Sequence, residues 1–244
     1  MRIEKKTAIE DDRHTLRIFT FSMAFIMLFV LPFAQLLTGC QAGQELTSAR
    51  RADTLAIGRD PSSTAMTTLR TAAVGGVGGS TISRQMDELA SMLQADSKGA
   101  SIVRKEEGII VMFDSRELFD DDSYELQASA RRMLKGFVKN LKLVEDIGVV
   151  VEGHTDDTAE EAYNHLISEH RANMVSRYFI RQGIRESHIQ ARGYGETQPL
   201  LADTSGTAKQ LNRRIEVVLF AGDDTRRLAA SGKLEGLIAS KRSQ

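Results

Sequence analysis

The stretch from Ile147 to Gly183 constrains the fold of this chain more than any other. Ile147-Gly-Val-Val-Val-Glu152 is a β-branched run suited to a buried central strand. It passes through a polar loop, Gly153-His-Thr-Asp-Asp-Thr-Ala159, into a helical pattern from about Glu160 to Gln182. Ala162, Leu166, Val175, Tyr178 and Phe179 form the expected inner face of that helix, and Gly183 follows as the C′ glycine. A strand that feeds a long helix through a short loop is a unit of layered folds. It also places the Asp156 carboxylate in the loop and the Arg171 guanidinium on the helix, so one pocket offers a fixed negative and a fixed positive group to a zwitterionic ligand.

The neighbouring segments supply the other layers. Ile102-Val103 and Gly108-Ile-Ile-Val-Met-Phe113 are β-prone runs around Lys105-Glu-Glu, as in a tight hairpin. Leu126, Ala130, Met133, Leu134, Phe137, Val138 and Leu141 repeat at helical spacing, which predicts a helix over 123–141. Ile189 to Gly193 and Arg214 to Phe220 read as two further strands. The expectation is an α+β fold, a mixed β-sheet with two long helices packed on one face. A weak last helix, Thr225 to Ser240, contains Gly232 and Gly236.

Composition excludes several functions. A net charge of −1, no Trp and 6% aromatic residues give no electrostatic footprint or stacking platform for nucleic acid. The single cysteine, Cys40, forbids an internal disulfide and a cysteine-based zinc site. Its position is the informative part. Ile18 to Leu37 is almost continuously apolar behind a basic flank of Arg2, Lys5, Lys6, Arg13 and Arg17, diluted by Glu10-Asp-Asp12. The run ends in Leu37-Thr-Gly-Cys40, which resembles the bacterial lipobox. That resemblance implies cleavage before Cys40 and lipidation on it, with Gln41 in the next position favouring the outer membrane over retention in the inner one. An uncleaved transmembrane helix is the alternative, since about twenty apolar residues also span a bilayer.

From Gln41 to about Ala73 the chain has few large apolar residues and reads as a tether. Val74-Gly-Gly-Val-Gly-Gly-Ser80 reads as a flexible hinge, and Ile82, Met86, Leu89 and Leu93 mark a short amphipathic helix. The expected organisation is a signal peptide over 1–39, an anchored tether over 40–101, a domain over 102–221 and a tail over 222–244. As a flexible coil, the tether from Cys40 to Ile102 averages about 45 Å.

Three ordered motifs, Gly153-His-Thr-Asp156 followed by Tyr163-Asn164 and Arg171-Ala172, then Gly193-Tyr-Gly-Glu-Thr-Gln-Pro199, then Asn212-Arg-Arg214, resemble the OmpA C-terminal-like family of peptidoglycan-binding domains. The likeness covers roughly 108–220. It implies that Asp156 binds the ammonium, and Arg171 a carboxylate, of the diaminopimelate in the peptidoglycan stem peptide. Thr158, Asn164 and Arg213 take further contacts by the same resemblance, and Asp114 faces the same pocket. Tyr163 and Tyr194 are read as packing residues that frame it.

Two departures stand out: Ala159 where the family usually has glycine, and Ala208-Lys209 where it usually has Gly-Arg. The competing reading of Asp156 and Arg171 is an ordinary salt bridge on the helix. His154, His165 and His170 lack zinc spacing, and Ser168 lacks an oxyanion-hole motif, so no metal, cofactor or enzyme activity is expected.

The function implied is that of an outer-membrane lipoprotein that tethers the outer membrane to the wall. The alternative is a peptidoglycan anchor of an envelope machine, secretory or motor-associated, with envelope protein partners. The apolar run lacks the acidic residue that an ion-conducting motor subunit carries.

Overall fold

The computed structural model describes residues 61–96, 99–202 and 204–242, with side chains to 240. The chain divides into two units, Met1–Ile57 and Gly58–Gln244, and the fold described is that of the second. The apolar run, Cys40 and the first part of the expected tether lie outside the described residues. Among those described, no helix is long and apolar enough to cross a membrane.

In chain order the elements are α1 (Ser63–Ala72), α2 (Gly76–Asp96), β1 (Ser101–Lys105), β2 (Gly108–Asp114), α3 (Ser115–Leu118), α4 (Ala128–Leu141), β3 (Ile147–His154), α5 (Glu161–Arg181), β4 (Ile189–Gly195), α6 (Gly206–Asn212), β5 (Arg214–Ala221), α7 (Asp223–Ala230) and α8 (Leu234–Arg242). A 3-10 turn, Glu186–His188, precedes β4. The sheet runs β1-β2-β5-β3-β4. Only β3 and β4 are parallel, as a crossover through α5 requires, and the other pairings are antiparallel. This is the mixed α+β sheet that the pattern predicts.

Alternation along the strands divides the core in two. Ile109, Val111, Phe113, Val149, Val151, Ile215, Val217 and Leu219 face the larger cluster, where α4 supplies Leu134 and Phe137 and α5 supplies Val175 and Phe179. Phe137 stacks on Phe179 and meets Phe113 edge-on, with ring centroids 5.6 Å apart in both pairs. The opposite residues, Ile110, Met112, Val150 and Val218, form a smaller cluster with Ala65 and Leu69 of α1.

Several sequence expectations need correction. Residues 63–72, read as tether, form α1: Ser62 caps it by accepting from the Ala65 N–H at 3.1 Å, and Ala65, Leu69 and Ala72 are buried. One leucine between two alanines provides a usable apolar stripe because the sheet face beneath it is flat and already apolar. The glycine-dense stretch, read as a hinge, is the start of α2 from Gly76 onward. A Cβ on Gly78 would sit 2.4 Å from the Ala229 carbonyl oxygen, so this glycine allows α2 to pack closely on α7. Ile82, Met86, Leu89 and Leu93 are buried in the larger cluster, so the amphipathic helix does dock on the sheet.

The helix expected from Ser123 begins at Ala128, since Leu126 bridges to Phe119 as extended chain. On α5, Leu166 is 51% exposed, and the inner face of its first turns runs instead through Asn164, Ile167, Ser168 and Arg171. Polar residues occupy that face because it borders a polar site rather than the core. The weak last helix is two helices, α7 and α8, on either side of Gly232.

Candidate functional site

The site forms where β3 ends. Thr155 and Asp156 continue from the strand, and the Thr155 N–H donates to the Gly195 carbonyl at 2.9 Å, which fixes the departing loop against β4. Asp156 is buried, and its Oδ1 accepts from the Thr158 N–H at 3.2 Å, a local turn that aims the carboxylate. Its Oδ2 is ion-paired with Arg213 Nη1. Ala159 is not among the residues with positive φ, so the loop does not need the glycine that the family usually places there.

Helix α5 supplies the opposite wall. It lies close on the sheet because Gly153 has no side chain: a Cβ there would stand 2.2 Å from the Ser168 carbonyl oxygen. Asn164 Nδ2 donates to the carbonyls of Asp156 at 3.1 Å and Ala159 at 3.0 Å, and to Glu196 Oε2 at 2.6 Å. It therefore ties both ends of the loop to the Gly-Tyr-Gly-Glu motif. Arg171 is buried, donates from Nε to the Ser123 carbonyl at 2.8 Å, and lies over the Phe119 ring at 5.3 Å. Burial holds its guanidinium below the ordinary value, offset by Tyr163, Asp122 and Asp121, while Arg213 adds to the lowering. Asp122 sits at φ 52°, a left-handed conformation that Asp tolerates, in the loop that delivers those carbonyls.

No ion pair joins Asp156 to Arg171 among the described residues; Arg213 is the partner of Asp156. The two anchors are thus held apart, each by its own scaffold, with Arg213 between them electrically. Thr158 lies near Lys209, whose Nζ is 3.5 Å from Thr158 Oγ1 and 3.1 Å from Asp157 Oδ1. Asp114 belongs to a neighbouring cleft, about 420 Å³ in volume, that Arg213 and Gln210 also line. There it caps α3 and pairs with Arg116 at 2.7 Å. Burial raises its pKa, but hydrogen bonds and charge from Arg116 outweigh that and hold it below 3.8. Tyr163 is 41% exposed and reaches Asp122 at 3.3 Å, and Tyr194 stacks on His154.

Sequence reasoning missed Glu196, Asp157 and Lys209. Glu196 stands within a motif that was recognised, but its pairing with Asn164 crosses 32 residues. Asn212 proves to be a scaffold residue: its Oδ1 accepts from Leu200 and Leu201 N–H groups at 2.8 and 3.1 Å, pinning the loop after Pro199. Glu152, His154 and Glu216 offer donor atoms within 4.8 Å of one another. Arg214 Nε already occupies Glu216 Oε1 at 2.7 Å, so this group is a charge network and does not fit a metal ion.

A carboxylate, two arginines and an asparagine thus gather where β3 ends and β5 begins, an arrangement that offers both signs of charge. Residues 118–213 match the OmpA family. The chain is 30% identical over 117 residues to the outer-membrane lipoprotein YfiB of Pseudomonas aeruginosa, an alignment that covers 48% of this chain and 70% of that protein. It is 34% identical over 99 residues to the peptidoglycan-associated lipoprotein of Pseudomonas putida, covering 41% and 59%. The crystal structure of a putative MotB-like protein from Desulfovibrio vulgaris is similar with a TM-score of 0.54 at 27% identity, covering 59% of this chain and 93% of that one. The chain belongs to the OmpA family. It spans about half the length of several curated relatives that it matches.

Proposed function

We propose that this protein is a lipoprotein of the outer membrane that binds peptidoglycan non-covalently and so ties that membrane to the wall. The observation that carries the reading is the pair of buried, separately scaffolded anchors, Asp156 and Arg171, fifteen residues apart in sequence. The ammonium of a diaminopimelate terminus takes Asp156, and its carboxylate takes Arg171. Arg213, which neutralises Asp156 in the unliganded site, turns to a second ligand carboxylate, while Thr158 and Asn164 hold the loop in place. Asp114 borders this site through Arg213 and tunes it without being a primary contact.

The relatives support the reading by name, one as a peptidoglycan-associated and one as an outer-membrane lipoprotein. Lipidation at Cys40 supplies the membrane end, and the segment up to α1 the span. The chemistry needs charge complementarity alone, with neither cofactor nor catalytic step. Cosedimentation of the purified protein with sacculi tests it: wild type pellets with diaminopimelate-containing walls, and Asp156→Ala and Arg171→Ala remain in the supernatant. Retained binding in both variants overturns the site.

The likeness to a MotB-like protein favours a second reading, a wall anchor within an envelope machine. Cys40→Ser separates the two: unchanged processing and membrane retention would remove the lipoprotein and favour the machine.

A further inference from the structure

On the sheet face away from the larger helices, two carboxylates lie side by side and fully buried. Glu152 of β3 and Glu216 of β5 are register partners, and both are 0% exposed. The N-terminus of α1 sits on them. The Ser62 N–H lies 3.2 Å from both oxygens of Glu216, Ser62 Oγ is 3.1 Å from Glu152 Oε2 and 3.2 Å from Glu216 Oε2, and Thr64 Oγ1 is 3.2 Å from Glu152 Oε2. The supply of protons falls short. The single hydroxyl proton of Ser62 is within reach of two carboxylates, and Glu152 Oε1 and both nitrogens of His154 have no partner.

We propose that α1 is a releasable strap, latched to the sheet at Ser62 by the Glu152–Glu216 pair, which gives the chain ahead of the domain a docked and a released state. The apolar hold is modest, amounting to Ala65, Leu69, Ala72 and the partly buried Met66, so the polar latch at Ser62 weighs heavily in the balance. A released strap does not persist as a helix, because ten residues are too few to be helical alone in water. Release lengthens the chain ahead of the domain by on the order of 20 Å. That this length lies between membrane and wall rests on the proposed function; the latch itself does not.

A proton on Glu152 resolves the shortage by turning an acceptor into a donor. Burial, and then the charge of Glu216, push Glu152 up to about 7 in the docked state, against a smaller lowering by the Ser62 and Thr64 hydroxyls and by Arg192. The docked state therefore binds the proton more tightly. Burial under α1 favours the protonated carboxyl, so this contribution to docking is lost as pH rises through about 7. The other charged groups facing Glu152 are Glu216 and Arg214 from β5, His154 from β3 and Arg192 from β4. His154, kept neutral by burial and by Arg214, opposes docking only under acid conditions. The strap itself brings no titratable group to the latch; its Arg70 is in the last turn, at the other end.

Hydrogen exchange followed by mass spectrometry on the full chain in detergent, at pH 6 and pH 8 with times scaled to intrinsic exchange, tests the latch. The expected result is α1 protection lower at pH 8 by about three- to tenfold, with the amides of β5 unchanged. Glu152→Gln removes the pH dependence and leaves α1 protected at both values. Ser62→Ala, outside the buried sheet, lowers α1 protection at both values without touching β5. Equal wild-type protection at the two pH values, α1 exchanging in step with β5, or persistent pH dependence in Glu152→Gln each overturns the proposal. Sacculus binding is read separately, so loss of wall binding with an intact latch would overturn only the proposed function.

Discussion

Two charged clusters sit within a few residues of each other on the same strands, and they are built to opposite ends. Asp156 and Arg213 meet where β3 ends and β5 begins, and there the arginine side chain keeps 33% of its surface in solvent. Glu152, Glu216 and Arg214 lie a short step back, sealed under α1, with side chains at 0%, 0% and 3%. In the half-open pair Arg213 can turn to solvent and free Asp156 for another cation. In the sealed network no such exchange occurs while α1 is docked, because any group left unpaired there keeps its full desolvation cost. Position along the strand, rather than residue type, separates the half-open pair from the sealed one.

The strongest way to break this contrast is Glu216→Ala, which strands Arg214 in the interior. The expected cost is about 3–5 kcal/mol in urea denaturation, with sacculus binding retained by whatever fraction stays folded. A loss below about 1 kcal/mol would mean that the network is not sealed.

Asp156→Ala should do the reverse. Its expected cost is about 2–4 kcal/mol in wall affinity, roughly thirtyfold to a thousandfold. The unfolding midpoint should move little, since Arg213 can turn to solvent. A large drop in stability with binding preserved would show that Asp156 is scaffold.

Lys209→Ala is the milder case, removing the exposed contact of α6 to the Asp156 loop. It should weaken sacculus binding by less than about 1 kcal/mol, and the difference from wild type should fade at high salt. A salt-independent loss would place Lys209 among the buried contacts.

The smallest effect concerns Asp114. With its carboxyl held below 3.8 in the folded state, its stabilising pair with Arg116 is present above that value and is lost as pH falls through the lowered one. Asp114→Asn should therefore lower neutral stability slightly, by less than about 1 kcal/mol, and flatten the acid limb of the denaturation curve by the same amount. An unaltered acid limb would remove Asp114 from the stabilising set.

The strands, the crossover helix α5 and the positions of Asp156 and Arg171 in the loop and on the helix were legible because each rests on local pattern. The run from Ile147 is β-branched, the helix ends at Gly183, and the Gly-His-Thr-Asp motif fixes its own turn. Helix α1 was not legible, since its stripe of Ala65, Met66, Leu69 and Ala72 is small and sits in a stretch otherwise rich in Ser, Thr and Arg. Arg213 as the partner of Asp156, and Glu196 as the partner of Asn164, were hidden for a different reason: contacts across 57 and 32 residues leave no trace in spacing. The glycines from Gly76 to Gly79 misled because glycine serves hinges and close helix contacts alike. Only Ala229, brought in from the far end of the chain, decides between them.

By itself the sequence determined the alternation of strands and helices, and which side chains carry the charge. Hydrophobic period and turn chemistry act over a few residues and need no context. The tertiary structure alone decided which charges face solvent and which face one another. Burial and countercharge are properties of packing, so strands β3 and β5 carry both the half-open Asp156–Arg213 pair and, a few residues away, the sealed Glu152–Glu216 pair.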